Sequence, residues 1–290
     1  MKIALGTVQF GCDYGIANKR RQVQDSEVAK IISNARSSGI NLLDTAVAYG
    51  SSENVLGRVG VGGFNVVTKL PADPKVSQSA IGQWVKTQVY ASLARLRRDT
   101  LYALLLHQPQ ILLTSHGAEV SRALSDLKND GVVQKIGVSV YSPDELPPIF
   151  SKYCIDLVQV PLNVADRRME TSGWLERLHN EGVEVHSRST FLQGLLLMGR
   201  NELPGKFLRW SRLWEEWESV LMNSGVTALE ACLAYPLSIR QVDHVLVGVD
   251  GLNHLRAILK AANRQPCNLD TSFMMSADLD LIHPPNWTLF

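Results

Sequence analysis

The sequence predicts a single-domain (β/α)8 barrel over residues 1–290. Three observations predict it. Eight short apolar runs are spread along the chain, amphipathic segments separate them, and the length suits the roughly 250 residues that eight strand–helix units need. The runs are apolar at nearly every position rather than at alternate ones. Parallel strands covered on both faces have that pattern, whereas a sheet with one wet face alternates.

The runs, in order, are "KIALG" at 2–6, "INLLD" at 40–44, "FNVVT" at 64–68 and "YALLL" at 102–106. The second half supplies "QKIGVS" at 134–139, "IDLVQV" at 155–160, "VEVHS" at 183–187 and "DHVLV" at 243–247. Segment 25–38 reads as a helix with Asp25 as its N-cap, stopping before Gly39. Segment 77–97 places Ile81, Trp84, Val85, Val89, Leu93 and Leu96 at helical spacing. Segment 142–150 opens "SPDE", a capping box with Ser142 as N-cap, Pro143 in the first turn and Glu145 reaching back. The longest connection, 188–225, contains Trp210, Leu213, Trp214, Trp217 and Leu221 on one helical face, as expected of a helix packed on the barrel. As a lid or cofactor belt it would offer Lys206, Arg209 and Arg212 to a phosphate. An open doubly wound sheet is the alternative architecture. No G-x-G-x-x-G follows the first strand to support it.

Composition excludes several function classes. A formal net charge of +1 with scattered Lys and Arg gives no field for nucleic acid or an acidic membrane. No apolar run reaches about 18 residues, and "MKIALGTVQFG" is too short in apolar length for a secretory signal. Cys12, Cys154, Cys232 and Cys267 form no C-x-x-C pair and no Cys/His cluster, so no metal is expected and reduced thiols are. A cytoplasmic protein is the simplest expectation. Nothing in the sequence assigns an oligomeric state.

In such a barrel, chemistry lies at the C-terminal ends of the strands. Asp44 ends the second run and Tyr49 follows in its loop; Lys69 ends the third and His107 the fourth. Each alone has an ordinary explanation, as a cap, a solvated charge or a packed ring. Together, on adjacent strand ends, they form a proton-delivery set. A free phenol, with a pKa of about 10, is a poor acid at neutral pH, and a nearby ammonium makes its phenolate accessible. A carboxylate holds the ammonium, and an imidazole orients the oxygen that receives the proton. Reduction of a carbonyl by hydride needs this assembly. With no metal motif, a nicotinamide is the fitting hydride source, and Ser139, Gln159 and Asn163 offer neutral groups for its amide.

These residues resemble the aldo/keto reductase family over nearly the whole chain. "DTAVAYGSSENVLG" is similar to its D-T-A-x-x-Y-G-x-x-E-x-x-L-G signature. "LGTVQFG", "VVTKL", "LLLHQP", "IGVSVY", "VQVPLN" and "FLQGLLL" resemble further family segments in register. The resemblance implies an NAD(P)H-dependent oxidoreductase of aldehydes, ketones or sugars. It implies Tyr49 as general acid, Lys69 lowering its pKa, Asp44 pairing with Lys69, and His107 orienting the carbonyl. Ser139 and Gln159 would hold the nicotinamide amide, with Phe191, Gly194, Gly248, Asp250 and Arg256 in cofactor-contacting segments.

Three departures qualify the match. Val140 stands where many members have Asn after the serine. Arg188 stands where many have the aromatic that stacks on the nicotinamide, so another group, His186 or Phe191 being nearby, covers the ring or Arg188 does. Asp250 and Gly251 replace the basic residues usual near an adenosine 2′-phosphate, with His254 and Arg256 further on. Binding of both NADPH and NADH is therefore expected, with a weak preference for NADPH.

The natural substrate is not encoded legibly. Phe10, Tyr14, Trp84 and the tail are the residues expected at the pocket mouth, with Trp287 either there or packed on the barrel. The opening "GTVQFGCDYGIAN" resembles relatives from bacterial surface-sugar pathways, a resemblance that implies a sugar substrate. Two other functions compete: a nicotinamide-nucleotide-binding barrel serving as a regulatory or scaffold subunit, and a barrel lyase or hydrolase without nicotinamide.

Overall fold

The computed structural model describes residues 1–72, 74–264 and 269–288; Cys267 lies outside them. Eight parallel strands close into a barrel in sequence order. They are β1 (Ile3–Gly6), β2 (Leu42–Asp44), β3 (Asn65–Leu70), β4 (Leu101–Leu106), β5 (Val133–Ser139), β6 (Leu157–Pro161), β7 (Glu184–Arg188) and β8 (His244–Gly248). Each expected apolar run became a strand. The last register pairs of β1 are Gly6 with Asp44 and Gly6 with Gly248, and Ser139 pairs with Gln159, so chemistry-bearing positions meet at one rim.

Apolar side chains such as Leu42, Val67, Ala103, Leu105 and Leu157 fill the barrel interior. A larger core joins strands to the surrounding helices, among them Asp25–Ser37, Ile81–Leu96, Gly117–Asn129 and Leu252–Ala262. Ile81, Val85, Val89, Leu93 and Leu96 bury the inward stripe of the second of these, and Trp84 packs half-buried against the same core. The capping box forms as expected: the Ser142 amide donates to Glu145 at 2.8 Å and the Ser142 hydroxyl accepts from the Asp144 amide at 3.3 Å. The first helix differs from expectation. Its N-cap is Gln24, and Asp25 opens the helix with its carboxylate bound to Arg58 at 2.7 Å. There the ion pair to a neighbouring helix replaces the local cap.

The connection after β7 builds a separate core. Helix Ser211–Ser224 buries Trp214 and Trp217, which pack with Phe207, Leu195, Leu281 and Trp287. Trp287 meets Phe207 edge-on at 5.0 Å between ring centroids, so the tail packs here. Among the described residues no single helix is long and apolar enough to cross a membrane.

At the N-terminal strand ends a polar network closes the barrel. The Tyr102 hydroxyl donates to Glu184 at 2.7 Å, Lys135 pairs with the same carboxylate, and His186 meets its other oxygen at 2.6 Å. His244 stacks edge-on against His186. Burial pushes His244 down to about 4, and the His186, Lys135 and Tyr102 bonds hold Glu184 at about 2 despite burial. Glu184, His186 and His244 have ligand atoms within 4.8 Å of one another, the spacing of a small cation site. The Lys135 ammonium already neutralises the carboxylate, so the cluster reads as a hydrogen-bonded floor.

Candidate active site

The loop carrying Tyr49 is set by two close backbone approaches. A Cβ on Gly11 would lie 1.7 Å from the Tyr49 carbonyl oxygen, and one on Gly50, at φ +56°, would lie 2.4 Å from the Gly11 oxygen. Only glycines allow the loops after β1 and β2 to touch there. Thr7, Thr45 and Ser52 then join hydroxyls beneath this contact. The rest of the signature is scaffold. Glu53, buried, accepts from Thr68 at 2.6 Å and from Arg95 at 2.7 Å. Gly57 lets the Arg95 backbone come within 2.0 Å of where a Cβ would be.

Asp44, Tyr49, Lys69 and His107 come together as expected. Lys69, 0% exposed, donates to Asp44 Oδ2 at 2.6 Å, to the Thr45 carbonyl at 2.9 Å and to the Tyr49 hydroxyl at 3.3 Å. Every ammonium hydrogen is thus used. The Asp44 Oδ1 accepts from Gln159 Nε2 at 2.7 Å, and the Ser139 hydroxyl donates to Gln159 Oε1 at 3.3 Å. The Tyr49 and His107 rings meet edge-on with centroids 5.9 Å apart.

The electrostatics differ from expectation in one respect. Burial, with Asp44 adding to it, pushes the Tyr49 phenol above its ordinary value; the Arg188 guanidinium opposes this. Desolvation and Asp44 together outweigh Arg188, so the phenol is held protonated. Burial pulls Lys69 down, while Asp44 opposes the shift. Burial and the Lys69 charge hold His107 at about 4, so its imidazole is neutral at ordinary pH. The phenol therefore keeps its proton near neutrality, and the His107 imidazole is neutral.

A cavity of about 850 Å³ opens over these residues. Ser139, Gln159, Arg188, Phe191, Gly194, Gly248 and Asp250 all line it. Arg256 does not: it is exposed on the outer side of its helix. Lys206 binds the Trp287 carbonyl and Arg209 binds Asp280 at 2.7 Å, while Arg212 is exposed, so that segment brings no charge to the cavity wall. Asn163 bonds the Ser189 carbonyl at 3.0 Å and caps the following turn instead of facing the cavity. Tyr14 lines the cavity, but Phe10 is core and Trp84 lies outside it. His186 belongs to the barrel floor.

Sequence reasoning missed part of the wall. Lys19 and Glu202, paired at 2.8 Å, join the loop after β1 to the loop after β7 over the cavity. Tyr141 and Gln9 also line it. The segment after β7 is strained: Ser189, Leu192 and Gln193 have φ of 62°, 48° and 55°. Left-handed non-glycine residues concentrate at functional sites, a signal sequence does not carry.

The cavity fits a dinucleotide. Its volume lies at the upper end of the range for ligand pockets. Gln9 has a buried Oε1 with no partner beside Gly248, where a Cβ would meet the Gln9 side chain at 2.6 Å. A cavity of this size with an orphaned acceptor, and with no side chain at Gly248 to crowd it, suits a nucleotide's polar groups.

A closed parallel barrel with a buried carboxylate–ammonium–phenol relay at its C-terminal rim defines the class of barrel oxidoreductases. The chain belongs to the aldo/keto reductase family, whose model matches residues 2–275. It is 24% identical to an NADH-specific methylglyoxal reductase of Escherichia coli over 278 residues, 81% of this chain and 82% of the relative. It is 30% identical over 158 residues to a 6-dehydroglucose reductase of Novosphingobium aromaticivorans, covering 50% of each. Among solved structures, the fold is similar to an aldo-keto reductase from Bacillus halodurans, AKR11C1, with a TM-score of 0.73 and 21% identity over 94% of this chain and 90% of that one. It is also similar to the glycerol dehydrogenase AKR11B4 of Gluconobacter oxydans, with a TM-score of 0.70 and 23% identity over 98% of this chain and 92% of that one.

Proposed function

We propose that this chain is a nicotinamide-dependent reductase of aldehydes or ketones that uses NADH in preference to NADPH. One observation carries the reading: the fully buried Lys69 ammonium bonded to both Asp44 and Tyr49. A buried relay of this kind has an energetic cost that a scaffold subunit has no need to bear.

A bound reduced nicotinamide supplies the hydride. The Tyr49 hydroxyl donates its proton to the carbonyl oxygen. Lys69 stabilises the phenolate that remains, and Asp44 fixes Lys69. His107, neutral, donates an N–H to the same oxygen and positions the carbonyl. Ser139 and Gln159 would hold the carboxamide, with Gln159 anchored by Asp44. The relatives' names support small carbonyl compounds, including an oxidised sugar.

The cofactor reading moves from the sequence expectation. Asp250 lines the cavity beside His254, and the first amide of helix Leu252–Ala262 is already occupied, donating to Glu27 at 2.9 Å. A helix N-terminus is a natural phosphate site; here Glu27 caps it and Asp250 lies nearby, and the Arg20 guanidinium is already set against these two carboxylates, which weighs against a 2′-phosphate. The relative named NADH-specific supports the same reading. The experiment is turnover of methylglyoxal by the purified protein, followed by loss of reduced-nicotinamide absorbance with each cofactor. Absence of turnover together with absence of NADH binding would sink the proposal.

A further inference from the structure

Arg188 ends β7, and its guanidinium carbon lies over the Tyr141 ring, 4.2 Å from the centroid. Its Nη2 donates to the Val140 carbonyl at 2.9 Å and its Nη1 to the Ser189 hydroxyl at 3.2 Å. The Nε is shielded from solvent and has no partner. A guanidinium carries five N–H donors in a fork that matches a carboxylate or phosphate, and these contacts leave part of the fork unused.

The other charges of the cavity wall are matched. Lys69 pairs with Asp44, Lys19 with Glu202, and His254 lies beside Asp250. Among the described residues no salt bridge includes Arg188, whose neighbours are phenols and neutral carbonyls. It lines the cavity together with Tyr49, His107 and Tyr141, and its charge acts on Tyr49, Lys69 and His107. A half-buried cation without a counter-ion carries part of the cost of desolvation, and a ligand anion would offset it. Many family members have an aromatic here, so the charge sets this chain apart from them.

We propose that Arg188 anchors an anionic group, carboxylate or phosphate, on the carbonyl substrate and so sets the substrate class of this site. The inference rests on the reading of the cavity as a carbonyl reductase site. Substrates would be oxo acids, aldehydic acids or phosphorylated carbonyl compounds, recognised by the guanidinium and stacked near Tyr141.

The test compares kcat/KM, with NADH, for succinic semialdehyde against butanal and for glyceraldehyde 3-phosphate against glyceraldehyde. It uses wild type, Arg188→Gln and Arg188→Lys, each checked for a native melting curve. Wild type should favour at least one anionic member by about tenfold or more, the scale of a charged hydrogen bond. Arg188→Gln should abolish that preference and Arg188→Lys retain part of it. Preference in one pair alone assigns carboxylate or phosphate as the anion. Calorimetry of succinate and inorganic phosphate binding to the protein alone gives a readout independent of turnover. If no aldehyde is reduced, the reductase reading fails, while succinate or phosphate binding abolished by Arg188→Gln still supports the anchor. A ratio near one in wild type, or one unchanged in Arg188→Gln while NADH affinity falls, overturns the proposal and assigns Arg188 to the cofactor.

Discussion

Lys69 and Asp44 form an ion pair at 2.6 Å in which the lysine side chain has no solvent exposure and the aspartate side chain 4%. Removing one partner of such a pair strands the other charge, at a cost of about 3–5 kcal/mol. Lys69→Met should therefore lose both activity and stability. Lys69→Met/Asp44→Asn keeps an acceptor for Gln159 but buries no charge, so it should regain most of the stability and remain inactive. Urea denaturation with turnover decides: a double variant no more stable than Lys69→Met contradicts a stranded-charge origin.

Tyr49→Phe removes the proposed acid and keeps the ring. The 3.3 Å contact to Lys69 is lost, leaving one hydrogen of the buried ammonium without its partner, so stability should fall by about 1–3 kcal/mol. NADH affinity should hardly move, while turnover falls by about 10² or more. Wild-type turnover in a chemistry-limited assay would exclude Tyr49 as the donor.

The pH profile separates the two proton carriers. With His107 at about 4 and Tyr49 above the ordinary phenol value, neither changes state near neutrality. Reduction should be level between about pH 5 and pH 9 in a chemistry-limited assay. A fall centred near the ordinary histidine value of about 6.5 would instead make a protonated His107 the acid. Oxidation of the alcohol needs phenolate, so its rate should still be rising at pH 9.

Cofactor choice is tested at Asp250. Fluorescence quenching should give tighter binding of NADH than of NADPH in wild type. Asp250→Arg adds a charge-assisted phosphate contact and should move the ratio of dissociation constants towards NADPH by about tenfold or more, about 1.4 kcal/mol. A wild-type preference for NADPH that Asp250→Arg leaves unchanged would place phosphate recognition elsewhere.

Two half-buried histidines, one in the barrel floor and one at the opposite rim, predict acid sensitivity. His244 and His107 are each held at about 4 when folded, so between the unfolded value of about 6.5 and pH 4 the unfolded chain binds more protons. Their stabilising contribution is present above that window and is lost as pH falls through it, by at most about 3 kcal/mol apiece. Glu184, held at about 2, adds a further loss below its ordinary carboxylate range. The melting temperature should fall between pH 6.5 and 4, and less steeply in His244→Leu. An identical slope in that variant would remove His244 from the account.

The strands were legible because a strand buried on both faces must be apolar throughout, and "YALLL" or "FNVVT" has few other uses. Asp44, Lys69 and His107 were legible because strand ends in this architecture share a rim, so spacing alone predicted their meeting. Arg256 and Lys206 illustrate what was not. Which face of a helix or turn a charge leaves on depends on packing: Arg256 points outward, and the tail draws Lys206 to the Trp287 carbonyl. The Lys19–Glu202 pair spans loops far apart in sequence, and no local pattern announces it. The Tyr49 shift also escaped, because how far the folded loops desolvate the phenol is a property of tertiary packing.

The tryptophan-rich core beside the barrel has a consequence for inheritance. Leu192, Leu195 and Leu196, adjacent to the Phe191 and Gly194 wall, pack with Trp214, Trp217 and Trp287 rather than with the layer between strands and helices. The relay at the strand ends and the roof over the ligand thus draw stability from different sets of side chains. Mutations can accumulate in one while the other keeps its shape. A lineage with this arrangement can change its ligands by repacking the roof, with the proton chemistry left intact beneath it.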